Sequence, residues 1–95
     1  MNVPQLKLLA GLVRGLLEQH NVSIGHSQSL DVIASLPGLR NWPEVMAFPD
    51  RVETTELNTT ATGRLSYRLK SRFHLEMEPT ALLEALILPG TQKAE

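Results

Sequence analysis

The stretch Gly25–Glu44 (GHSQSLDVIASLPGLRNWPE) limits this chain more than any other, because Pro37-Gly38 divides it into two short segments that each open like a helix. Proline lacks the N–H that an advancing helix needs, and glycine after it takes up the turn. Before the break, Ser27 is placed to cap a helix running to about Leu36, with Leu30, Ile33 and Ala34 on its inner face and Asp31 near the favourable end of its dipole. After the break Leu39 anchors the turn. Asn41 then opens a second helix, with Glu44 three residues on as in a capping box and Pro43 inside the first turn. Trp42, Val45, Met46 and Phe48 give that helix bulk, and Pro49 ends it. A helix of two turns is not stable alone, so the pair must be held by packing, as a helix-turn-helix-like hairpin.

The flanking sequence supplies helices to pack against it. From Pro4 to His20, Leu6, Leu9, Val13, Leu16 and Leu17 recur at helical spacing, and Leu8 and Leu12 widen the stripe. Lys7, Gly11, Arg14 and Glu18 occupy the other face, and Asn21 can close the helix in the left-handed conformation. Val22 or Ile24 in the following link is expected to plug the core. Residues 50–57 alternate apolar and polar without a partner strand and read as an extended connector. A fourth helix is expected from Asn58 or Thr59 to Phe73, with Ala61, Leu65, Leu69 and Phe73 inward. A fifth runs from Pro79 to about Leu88, with Ala81, Leu82, Ala85 and Leu86 inward and Pro89-Gly90 as its stop. The expectation is an all-α domain over residues 1–90, a compact bundle of about five helices with Trp42 in or at the edge of the core, and a disordered polar tail or linker start at 91–95.

Composition narrows the function classes. The net charge is −1, so no global field draws in nucleic acid or an acidic membrane. Cysteine is absent, which excludes disulfides and thiolate metal sites and suits a reducing, cytoplasmic setting. Lys7 and Arg14 interrupt the longest apolar stretch, so no membrane partner is expected. His20, His26 and His74 sit at helix ends without the spacing of a metal site. His26-Ser27 are neighbours whose side chains diverge, with no third orienting group. Glu76 and Glu78 precede a helix start as ordinary solvated carboxylates. No cofactor, metal or catalytic residue is assigned, and the chain reads as a non-enzyme.

Three features remain as candidates for binding. Arg64, Arg68 and Arg72 repeat every fourth residue and form one ridge, which either pairs with acids such as Glu53 and Glu56 or meets an anion such as a nucleic-acid backbone. Gly11 and Gly15 each cost about 1 kcal/mol against alanine in a helix, so they need close approach of another helix in the fold or a self-association face. His26, Gln28 and Arg40, with Trp42, are the letters of the hairpin left over after caps, stops and core anchors are assigned.

The pattern His26-Ser27-Gln28-Ser29-Leu30-Asp31-Val32-Ile33-Ala34, then Gly38-Leu39-Arg40-Asn41-Trp42, resembles a small bacterial helical domain often labelled glyoxalase-related or glyoxalase superfamily. The resemblance spans about residues 4–47. Glyoxalase enzymes carry metal-binding His and Glu on a βαβββ fold, which this chain does not show, so the resemblance implies no metal and no activity. It implies a recognition or docking module, often the N-terminal domain of a larger bacterial protein. The expected function is therefore a protein-interaction module, with a protein partner or a second copy as its target. The alternative is nucleic-acid binding through the arginine ridge.

Overall fold

The computed structural model describes residues 1–93, and the side chains of residues 1–87. All regular structure among them is helical: α1 (Val3–Gln19), α2 (His26–Ile33), α3 (Trp42–Ala47), α4 (Pro49–Glu53), α5 (Thr59–Phe73) and α6 (Pro79–Lys93). The all-α reading and the hairpin of α2 and α3 hold, with six helices in place of about five.

Three helices start in the same way. Asn2, Asn41 and Asn58 are extended N-caps whose side-chain oxygens accept from the N–H three residues on, at 2.8 Å from Gln5, 3.0 Å from Glu44 and 3.0 Å from Ala61. Each bond satisfies a donor that the first turn would leave unpaired. Stops are equally explicit. Asn21 (φ 64°), Gly38 (φ 81°) and His74 (φ 54°) are the residues with positive φ among those described, and each follows a helical segment. Asn21 turns the chain so that the Val22 N–H reaches the Leu17 carbonyl at 2.8 Å, the closure expected of asparagine at a helix C-terminus.

Two helix pairs, α1 on α2 and α5 on α6, are joined where α2 meets α5, and α1 also touches α4 and α6. The core runs through all of them: Leu6, Leu9, Val13 and Leu17 from α1, Leu30 and Ile33 from α2, Leu65 and Leu69 from α5, and Leu82 and Leu86 from α6. Ile24 is the plug in the link after α1, with Val22 packed half-buried beside it, and Trp42 lies half-buried at the core edge.

Several expectations are corrected. The first half of the connector is helical rather than extended: 49–53 form α4 and bury Val52, whose single inward side chain fits one helical turn as well as a strand, while 55–57 carry no regular structure. Ser27 is not the cap of α2. Gly25 is, because the Gln28 side chain reaches back to the Gly25 N–H at 3.2 Å. Glu44 does not close the capping box on Asn41, because its carboxylate accepts from Arg40 instead. Ala81 is exposed, while Leu82 and Leu86 carry the inner face of α6. Nor does α6 stop at Pro89-Gly90; it continues to Lys93, since proline and glycine penalise a helix interior by about 3 and 1 kcal/mol without forbidding it. Of the expected tail, 91–93 are helical and 94–95 lie outside the described residues.

Candidate functional site

The hairpin is the most heavily hydrogen-bonded part of the molecule, and α5 holds it. Arg68 donates to three carbonyls at once: Nη1 to Asp31 (2.8 Å) and Arg40 (3.1 Å), and Nη2 to Leu39 (2.9 Å). One turn earlier, Arg64 donates through Nε (3.1 Å) and Nη2 (2.6 Å) to the Leu36 carbonyl. These are the carbonyls that the end of α2 and the following turn leave unpaired, and guanidinium is a natural partner for the negative end of a helix. Arg64 passes close to Gly38, where an added Cβ would stand 3.5 Å from its Nε. Burial, followed by the nearby Arg72, pulls the Arg68 guanidinium below its ordinary value.

The arginine ridge is therefore not a free ridge. Arg64 and Arg68 bind neither Glu53 nor Glu56; backbone carbonyls occupy them. Arg72 is exposed and has no hydrogen-bond or ion-pair partner among the described residues.

The leftover letters of the hairpin find partners too. Gln28 completes the start of α2. Arg40 is chelated by Glu44, which accepts from the Arg40 backbone N–H at 2.9 Å and from Nε at 3.1 Å. The Arg40 backbone bond, ahead of its side chain, holds the Glu44 carboxyl below the usual carboxylate range. The carboxylate of Asp31 accepts from the Trp42 backbone N–H at 2.8 Å, so it caps the start of α3 rather than serving α2. His26 is exposed, and its imidazole makes no hydrogen bond among the described residues. Among those residues no group of three or more metal-ligating side chains is close enough to hold an ion.

Three other surfaces stand out. At the α3–α4 junction Met46, Ala47, Phe48 and Pro49 are four consecutive apolar residues, all exposed, with Met46 at 59% and Phe48 at 54%. On α5, Tyr67 is 76% exposed. It stands between a cleft of about 430 Å³ against the Ser35–Gly38 turn and one of about 320 Å³ beside Lys70, Ser71 and His74. Finally, the solvent face of α1 is bare. Leu8 is 73% exposed, and added Cβ atoms at Gly11 and Gly15 would meet nothing within 4 Å, so among the described residues no helix approaches the glycines. Helical spacing alone places Leu8 with the core stripe and Met46 and Phe48 as bulk for α3, whereas all three are exposed. Tyr67 belongs to no motif, although it lies opposite Leu65 and Leu69 on the helical wheel and so reads as outward.

No family model, no curated protein and no solved structure matches the chain.

Proposed function

We propose that the chain is a non-enzymatic docking module that binds a protein partner through the α3–α4 junction. The carrying observation is the exposed run Met46–Pro49. A Phe and a Met side chain each contribute about 1.5–3 kcal/mol when fully buried. Both types recur in the apolar centres of protein interfaces, where the unbranched thioether adapts to its partner. Val45 and Val52, fully buried on either side, hold the run in place. The resemblance of residues 4–47 to a bacterial appendage domain supports the same reading, and the absence of cysteine supports a cytoplasmic setting.

The test uses a photo-crosslinking amino acid at Phe48, with the exposed position Glu84 as control, irradiated in the native cell. A protein captured at 48, absent at 84 and lost on Met46→Ser supports docking. Identical capture at both positions overturns it. Phe48→Ser is expected to leave the unfolding midpoint nearly unchanged, because the side chain is exposed.

A second reading, binding of single-stranded nucleic acid along α5, is favoured by Tyr67. The helix carries Arg64, Arg68, Lys70 and Arg72 and no acidic residue, and an exposed aromatic ring between cations can stack a base. Its test must spare Arg64 and Arg68, which hold the hairpin. Tyr67→Ala and Arg72→Ala should each weaken binding of a labelled oligothymidylate at low salt, and no binding by the unmodified protein removes this reading.

A further inference from the structure

We propose that two copies of this chain pair through the outer faces of α1, antiparallel, with Leu8 of each copy seated beside Gly15 of the other. Whether the α3–α4 junction docks a partner is a separate matter, since this pairing uses another surface.

The face directly opposite the buried row Leu6, Leu9, Val13 and Leu17 consists of Pro4, Leu8, Gly11 and Gly15. All four are exposed, and none is charged or polar in its side chain. A helix facing water ordinarily carries polar residues there. Leu8 projects from this face, and the two glycines leave it flat along the next two turns. Each glycine weakens α1 with no packing gain in return among the described residues, where no atom lies within 4 Å of an added Cβ at either position. An approaching backbone from outside would use that space.

Charge selects the occupant and its direction. Lys7 and Glu18 are exposed on the same flank of this face, eleven residues apart, or about 16 Å along the axis. A second α1 running antiparallel brings Lys7 of each copy to Glu18 of the other, forming two equivalent ion pairs about a two-fold axis. In a parallel pair the two-fold axis would run along the helices and set this flank of each copy on opposite sides of the seam, so neither ion pair could form. In the antiparallel register Leu8 lies about 3 Å along the axis from Gly15 of the other copy, beside the flat strip that this glycine leaves. Arg14, between the two charges, keeps its loose 4.0 Å contact with its own Glu18.

Sedimentation velocity from micromolar to millimolar chain tests the pairing. A monomer–dimer equilibrium is expected. Leu8→Glu should abolish the dimer without altering the fold, since the side chain is largely solvent-exposed. Lys7→Glu or Glu18→Lys alone should each weaken it about tenfold, by turning two exposed attractions into repulsions. The double variant Lys7→Glu/Glu18→Lys should restore it. Gly11→Ala and Gly15→Ala give opposed readouts: the unfolding midpoint of the dilute monomer rises while dimerisation weakens. A protein that stays monomeric at millimolar concentration overturns the proposal. So does a dimer indifferent to Leu8→Glu, or a charge swap that fails to restore pairing. Capture at Phe48 is unaffected by any of these variants, so the two ideas fail separately.

Discussion

Arg68 shows how far a residue's role can lie from the chemistry its type suggests. In a row of arginines it reads as a contact for phosphate; in the fold it donates to the carbonyls of Asp31, Leu39 and Arg40. Charged donors to partly buried carbonyls are worth more than neutral ones, and removing this one leaves three acceptors under-satisfied. Arg68→Ala is expected to lower stability by about 2–3 kcal/mol, followed by urea unfolding with Trp42 fluorescence. Lysine should recover little of it, because one ammonium cannot span three carbonyls set by a planar fork. Arg72→Ala, at a side chain without a partner among the described residues, should leave the midpoint unchanged. Asp31 is comparable: Asp31→Ala strips the acceptor from the Trp42 N–H and should cost about 1–2 kcal/mol. For Glu44 the pKa is lowered in the folded state, so its contribution is present above the unfolded value and is lost as pH falls through the folded one. Melting temperature should therefore fall on the acid side of the ordinary carboxylate range, and Glu44→Gln should flatten that limb.

At the scale of the element, most boundaries were legible because short-range chemistry sets them. Asn41 and Asn58 as starts and Asn21 as a stop follow from one side-chain oxygen or one tolerated dihedral. Where a boundary depended on what a side chain reaches, the reading failed. Gln28 folding back to Gly25 moved the start of α2, and Val52 finding the core turned a supposed connector into α4. Alternation over 50–57 resembled a strand because a single inward residue carries no period. The α1 glycines make the sharpest prediction here. Gly11→Ala and Gly15→Ala should each stabilise the isolated chain by about 1 kcal/mol in chemical denaturation at low concentration, because helix propensity improves and nothing is displaced. A loss of stability in either variant overturns this prediction.

For the whole molecule, the join between the two helix pairs decides cooperativity. Leu65 and Leu69 of α5 lie in the same core as Leu30 and Ile33 of α2, and the arginine bonds cross the same boundary. Leu65→Ala should cost about 3 kcal/mol. Helical circular dichroism and Trp42 fluorescence should lose their signals at the same denaturant concentration in the parent protein, since the tryptophan edge and the α5 core share one unit. Two separate transitions would show that the helix pairs unfold independently.

By itself the sequence determined the helical class, the hairpin around Pro37-Gly38, most helix starts and stops, and most of the core. These rest on period, caps and dihedral preference, which act within a few residues and survive in any fold. Tertiary structure alone decided what the polar letters are for. Arg64, Arg68, Asp31 and Arg40 had looked like candidates for binding or dipole effects, and each is engaged in securing the hairpin, Arg64 and Arg68 across 28 to 37 residues of chain. It also decided which apolar residues remain outside: Leu8 and Phe48 are as hydrophobic as their buried neighbours, and only the placement of the other helices leaves them in water. A side chain's partner across the chain is a property of packing, and no local pattern encodes it.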